Sequence, residues 1–134
     1  MKKISLFLAV FLTILFKAQT YEYEYSSSIK YNSSLRKYEQ SNSYDKMKMI
    51  ADINEANDNI TLTYIGSDDT ATLNLYIVEK TNVEDNSVLY ICKGKKSNLI
   101  DKIVIRKNRN GETMTVMVKC QNESCPNGSF HFNK

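Results

Sequence analysis

Three cysteines are the residues of this 134-residue chain with the clearest capacity for chemistry. In an exported protein, which the N-terminal residues indicate, an odd count of cysteines predicts one disulfide and one remaining thiol. We expect Cys120 and Cys125 to form the disulfide, because they close a short loop between two predicted strands. The alternatives are Cys92 with Cys120 and Cys92 with Cys125. A redox or metal site would need CxxC spacing or nearby histidines, and the sequence has neither, so we predict no metal ligand.

His131 is the only histidine, and it alternates with Phe130 and Phe132. A strand that buries both phenylalanines turns the histidine outward. A Ser-His-Asp arrangement depends on partners that meet in space, but no Gly-x-Ser-x-Gly segment marks a nucleophile. We therefore predict no catalytic residue and no cofactor, and we interpret His131 as a surface side chain.

The loop from Asp52 to Asp58 carries acids and amides at a spacing that resembles a calcium loop. The EF-hand pattern requires an oxygen ligand where Ala56 stands, and it requires glycine where Asn57 stands. A polar hairpin loop is the favoured interpretation.

A stripe of tyrosines opens the first predicted strand, where Tyr21, Tyr23 and Tyr25 alternate with two glutamates. If the rings were exposed, they could form an aromatic platform for sugars or peptides. If they are buried, they form one wall of the core. The alternation with glutamate favours the buried interpretation.

Thr70 is a candidate for modification. The segment Asp69-Thr70-Ala71 lies in a predicted turn and resembles the Asp-Thr-apolar acceptor triplet of a periplasmic O-glycosylation system found in some bacteria.

The first nineteen residues have the features of a secretory signal peptide. Two lysines precede an apolar run from Ile4 to Phe16, which is short for a membrane span. We expect residues 1–19 to be removed and residues 20–134 to form a single β domain without stable membrane insertion. The protein is then periplasmic or extracellular, and its Ile-, Asn- and Lys-rich composition looks bacterial.

Cleavage of this segment would change the charge balance. The chain has 18 Lys and Arg and 15 Asp and Glu, and residues 1–19 contain three lysines and no acid. The mature domain would therefore carry no net charge. Such a balance gives no reason to expect a nucleic-acid partner.

Short alternating segments separated by polar turns predict strands along the whole domain. Asn110-Gly111 is the strongest hairpin signal, because both residue types tolerate positive φ. Residues 31–43 are polar and predict the longest irregular connection. The predicted strands cover residues 21–25, 44–53, 60–65, 70–80, 87–92, 99–106, 112–120 and 129–132.

Short connections between successive strands predict an all-β fold, an antiparallel meander of seven or eight strands. It would close as a small barrel, a half-barrel or a sandwich. In strand number and connection style it resembles the lipocalin-like (calycin-type) small secreted β proteins. Their Gly-x-Trp signature is absent, since the chain has no Trp.

We expect an exported, non-enzymatic binding module whose ligand is a small apolar molecule or the surface of a protein partner. The alternative is a secreted interaction or inhibitor domain that uses the disulfide-pinned loop 120–128. A hydrolytic enzyme is the third interpretation.

Overall fold

The computed structural model describes residues 18–41, 47–95, 100–120 and 128–134. One short 3-10 helix, Glu55–Asn57, accompanies nine strands in these residues. The strands are β1 (Gln19–Asn32), β2 (Lys37–Ser41), β3 (Lys48–Asn54), β4 (Asn59–Ile65), β5 (Thr70–Val83), β6 (Ser87–Gly94), β7 (Ile100–Asn108), β8 (Thr113–Cys120) and β9 (Gly128–Asn133).

The strands form an antiparallel meander that closes into a barrel. From β3 to β9 each strand pairs with its neighbour in sequence, and β1 pairs with both β3 and β9. This closure makes an eight-stranded barrel, with β2 as a ninth strand outside it. The predicted all-β meander is confirmed, and of the three predicted forms of closure the barrel is the one observed.

The prediction of an irregular connection over residues 31–43 is wrong for residues 31–41, and residues 42 and 43 lie outside the described residues. β1 continues to Asn32, and a turn at residues 33–36 leads into β2, which pairs with the second half of β1. Residues 31–41 extend beyond the pairing of β1 with β9, so they have no core to cover and most of them are polar.

A β-bulge in β1 changes which residues face the barrel interior. The pairing of β1 with β9 shifts register between Tyr25 and Ser27. Before the shift Tyr23 is buried, whereas after it Ser28 is buried and Ile29 is exposed. A bulge inserts one unpaired residue, and the side chains beyond it exchange faces.

Among the described residues, fifteen apolar side chains, each at most 8% exposed, pack into one cluster inside the barrel. Three of them are the large aromatic residues Tyr23, Tyr90 and Phe132. Each of the eight barrel strands contributes by alternation, as Met49, Ala51 and Ile53 do from β3. Burial of these side chains is the main stabilising contribution to the fold.

The turn between β7 and β8 lies at Asn110-Gly111 as predicted, but its backbone differs from the prediction. Among these two residues only Gly111 has positive φ, at +70°. Its N–H donates to the Asn108 carbonyl at 3.0 Å. The Asn108 side chain accepts hydrogen bonds from the backbone N–H groups of Glu112 and Thr113. These bonds hold the turn between β7 and β8 in place.

None of the helices in the described ranges is long and apolar enough to span a membrane. Residues 1–17, which hold nearly all of the predicted signal peptide, lie outside these ranges.

Replacement of Gly111 by Ala should destabilise the barrel. Positive φ disfavours any residue with a Cβ, and a Cβ at this position would overlap the Tyr21 ring. We expect a loss of about 1–2 kcal/mol in the free energy of unfolding, measured by urea denaturation followed by far-UV circular dichroism.

Gly66→Ala is the matched control. A Cβ at Gly66 would lie 3.4 Å from the Asp69 carbonyl oxygen, an ordinary contact, and Gly66 has no positive φ. Equal denaturation midpoints for the two variants would contradict the role assigned to Gly111.

Candidate functional site

Cys92 carries a free thiol buried in the barrel core, so it is not bridged to another cysteine in the structure. Burial raises the pKa of this thiol to about 12, which suppresses the reactive thiolate at neutral pH. Cys125 lies outside the described residues. The disulfide between Cys120 and Cys125, and the loop 120–128 that it would close, therefore stay predictions.

The tyrosine stripe faces the barrel interior. Tyr23 is only 2% exposed and belongs to the core, and Tyr21 and Tyr25 are half-buried against it. The rings of Tyr21 and Tyr23 stack with centroids 6.2 Å apart. These positions fit the buried interpretation better than an open aromatic platform.

His131 lies on the outer face of β9, between two hydroxyl groups. Its Nδ1 is 3.1 Å from the Thr115 hydroxyl oxygen, and its Nε2 is 3.3 Å from that of Ser129. A hydroxyl beside an imidazole is the first half of a nucleophilic arrangement. No carboxylate of the described residues is hydrogen-bonded to this ring.

Thr70 is exposed at the start of β5. It follows the turn that the Gly66 N–H closes on the Asp69 carbonyl at 2.8 Å. Thr70 is thus accessible, and its glycosylation stays a prediction.

The calcium-like loop holds the 3-10 helix, and its central acid is already engaged. Glu55 accepts a hydrogen bond from the Tyr90 hydroxyl at 2.7 Å and pairs with Lys80 at 2.6 Å. Within the described ranges, no three His, Cys, Asp or Glu side chains gather closely enough to hold a metal ion.

An outer groove crosses four strands where the β1–β2 hairpin leaves the barrel. We call it the hairpin groove. Its volume is about 470 Å³, and its lining residues are Ile29, Tyr31, Tyr38, Met117, Val118, Lys119, Gly128 and Ser129.

Exposed apolar side chains concentrate at this groove. Tyr31 is 41% exposed, Tyr38 is 66% exposed, and their rings make an edge contact at 5.2 Å. Leu35, at 57% exposed, lies in the turn of the same hairpin. Clustered exposed apolar residues mark interaction surfaces more often than scattered ones do.

Lys119 is the one charged residue among the described residues that line the hairpin groove. Lys30 and Lys37 alternate with Ile29, Tyr31 and Tyr38 along the hairpin, so they lie on its other face, where Lys30 contacts the Phe130 ring. Glu39 pairs with Lys37 at 3.7 Å.

A second group of polar side chains lies at the other end of β8, where β1 starts and β7 ends. We call it the lysine–tyrosine cluster, and its members are Tyr21, Tyr23, Glu55, Tyr90 and Lys107. The Lys107 amino group lies 4.5 Å from the centre of the Tyr21 ring. It donates to the Tyr21 hydroxyl at 3.4 Å and to the Asn108 carbonyl at 3.3 Å.

Burial and charge shift the acidity of this cluster. Burial is the largest cause that raises the pKa of Tyr90, and the hydrogen bond to Glu55 is the next largest. Burial opposes ionisation of Glu55, yet hydrogen bonds from Lys80 and Tyr90 leave the pKa of Glu55 below its ordinary value. Tyr90 is thus a neutral donor and Glu55 a charged acceptor at neutral pH.

Sequence reasoning did not find the lysine–tyrosine cluster, since its members are far apart in the chain. One signal was present: Lys107 continues the alternation of Ile103 and Ile105, which are fully buried. A lysine at an inward-facing position is unusual and indicates a special environment.

No family model, no curated protein and no solved structure matches this chain. The geometry of the described residues is therefore the basis for any functional assignment.

The barrel should lose stability as the pH rises above about 9. Burial raises the pKa values of Cys92 and Tyr64 to about 12, so the folded state retains protons that the unfolded chain releases from about pH 9 to 10 upward. The contribution of these groups is present below that range and is lost as the pH approaches 12. Urea denaturation at pH 7 to 11 measures this loss.

Tyr64→Phe should reduce the alkaline loss by about 1 kcal/mol at pH 11, because the variant has no buried phenol to ionise. Tyr38→Phe removes an exposed phenol and is the control. If both variants show the same pH dependence as the original chain, burial of Tyr64 does not contribute to alkaline unfolding.

Proposed function

We propose that this protein is an exported, non-enzymatic binding module that docks a protein partner in the hairpin groove. The observation that carries the proposal is the contrast between the two surfaces of the barrel. Large core side chains pack the interior at exposures of a few per cent, whereas aromatic side chains are exposed on the hairpin.

The dimensions of the groove favour an extended segment of the partner. The groove crosses four strands, and neighbouring strands lie about 4.8 Å apart. The distance across the groove is therefore three such spacings, or roughly 14 Å. An extended chain advances about 3.3 Å per residue, so about four residues would cross it. A volume of about 470 Å³ lies within the usual range for a binding site.

The side chains that line the groove favour an acidic partner. Tyr31, Tyr38 and Met117 offer apolar contacts of the kind enriched in interfaces, and Lys119 is the charged residue beside them. Charge complementarity selects a partner segment that alternates apolar and acidic residues. We commit to this class of ligand over a small apolar molecule in the barrel mouth.

Export and family membership are parts of the same proposal. The signal peptide over residues 1–19 places the module in the periplasm or outside the cell. An antiparallel eight-stranded barrel is consistent with a lipocalin-like (calycin-type) fold. If exported, the protein recovered from its host should begin between Gln19 and Tyr21, and an N-terminus at Met1 would contradict cleavage.

Binding of short labelled peptides tests the proposal directly. One peptide alternates Leu with Glu and Ser, and its counterpart has Lys in place of Glu. We expect the acidic peptide to bind at least tenfold more tightly by fluorescence anisotropy, with an affinity that falls as salt is added.

Tyr31→Ser and Tyr38→Ser should each weaken binding of the acidic peptide about tenfold, as expected for aromatic contacts at the centre of an interface. Tyr76→Ser is the control, because Tyr76 is 51% exposed on β5 and does not line the groove. Equal binding of both peptides, no binding, or equal loss in the Tyr76 variant would contradict the assignment.

A further inference from the structure

The outer edge of β2 has no strand beside it among the described residues. β2 pairs with β1 alone. Residues Ser28, Ile29 and Lys30 of β1 pair with both β2 and β9, so these two strands lie on opposite edges of β1. An unpaired edge presents backbone N–H and C=O groups that can pair with a further strand.

The described strands of the barrel wall end before they reach this edge. Glu24 pairs with both β3 and β9, so β3 lies along the same edge of β1 as β2 does. β4, the next neighbour of β3, ends at Ile65, which is opposite Lys48 at the start of β3. The hairpin of β1 and β2 extends past that point, which leaves the outer edge of β2 open to another strand.

Symmetry restricts the register in which two copies of β2 can pair. A twofold axis perpendicular to the sheet keeps each side chain of an antiparallel pair on the same face in both copies. Opposite residues must share a face, and faces alternate along a strand. Their positions therefore differ by an even number, so one residue lies on the axis and is opposite itself.

Placing Tyr38 on the axis gives complementary side chains throughout. Lys37 is then opposite Glu39 of the second copy, and Glu39 is opposite Lys37 of the second copy. Because Tyr31 is opposite Tyr38 within each copy, four tyrosines form one row across four strands. Aromatic pairs and pairs of opposite charge are the favourable neighbours across strands.

The contacts that these charges make within one copy do not prevent the new pairs. Lys37 and Glu39 form an ion pair at 3.7 Å, with side chains 62% and 44% exposed. The Asn32 side chain donates to the other Glu39 oxygen at 2.9 Å. An ion pair this exposed contributes little to stability, so exchange of its partner costs little.

The lysine also favours a second copy over an unrelated strand. Lysine in an edge strand ordinarily opposes pairing with other chains. A second copy of β2 brings a glutamate to each lysine, whereas an unrelated apolar strand brings none. The edge is therefore selective for its own sequence.

We propose that β2 pairs antiparallel with β2 of a second copy of this chain, with Tyr38 on the twofold axis. Two hairpins then form one continuous four-stranded sheet. The contact is smaller than a standard interface, so the dissociation constant should be on the order of 100 μM. The pairing uses the edge of the hairpin and needs no peptide in the groove, so it does not rest on the proposed function.

Analytical ultracentrifugation of the protein purified from its host, without added peptide, tests this pairing. The concentrations should extend from about tenfold below to about tenfold above the expected dissociation constant. We expect an equilibrium between monomer and dimer without larger species, because each copy offers one such edge and the pair uses both.

Charge reversal assigns the dimer to this register. Glu39→Lys places a lysine opposite Lys37 at both symmetric contacts, and Lys37→Glu places two glutamates opposite each other. Each variant alone should dimerise about tenfold more weakly. An equimolar mixture of the two variants should restore dimerisation, because every reversed charge then meets its opposite in the mixed pair.

Lys102→Glu is the control, because Lys102 is exposed on β7 and its reversal changes the net charge as much as Lys37→Glu does. This variant should dimerise like the original chain. Far-UV circular dichroism should show an unchanged barrel in all three variants.

The proposal is wrong if the protein stays monomeric at every concentration, which would leave the edge to a strand of another protein. It is equally wrong if association continues beyond the dimer. A dimer that both charge reversals leave unchanged would place the interface elsewhere. A mixture of the two variants that stays monomeric would exclude the register at Tyr38.

Discussion

Pairing of β1 with β9 is the constraint on which the rest of the structure depends. Without it the meander would remain an open sheet with one apolar face in water, and the core would have no far wall. The close approach is permitted by Gly128, where any Cβ would overlap the Ile29 carbonyl oxygen. β1 has to serve three partners along its length, β3 at its start, β9 in its middle and β2 at its end. The bulge within it reconciles these demands, because it lets one strand line the core first and carry the exposed hairpin afterwards.

The bulge also explains how one chain separates two kinds of aromatic surface. Tyr21, Tyr23 and Tyr25 belong to the inner face of β1, while Tyr31 lies beyond the shift in register and is exposed beside Tyr38. Tyr21 contacts the buried Lys107, and Tyr31 and Tyr38 line a groove together with Lys119. Tyrosine suits both settings, since its ring packs against apolar neighbours and its hydroxyl still needs a partner.

Local alternation was sufficient to predict most strands, because burial on one side imposes a period of two. It predicted the inward face of β3 at Met49, Ala51 and Ile53, and the outward position of His131 between Phe130 and Phe132. It failed at residues 31–43, because a hairpin outside the barrel has no buried side to impose the pattern. The lysine–tyrosine cluster lay beyond such reasoning: Tyr21 and Lys107 are 86 residues apart, and closure of the barrel brings them together. The alternation of Lys107 with two buried isoleucines was the accessible hint.

The buried thiol of Cys92 has a consequence for how the chain matures. A side chain that is sealed among apolar neighbours is removed from thiol–disulfide exchange, since exchange requires an accessible thiolate. Completion of the barrel therefore withdraws one cysteine from the pool of three, and only Cys120 and Cys125 remain to combine. Folding that precedes oxidation leaves a single intramolecular pairing, whereas oxidation that precedes folding offers three. The predicted disulfide between Cys120 and Cys125 would therefore depend on closure of the barrel before the thiols are oxidised.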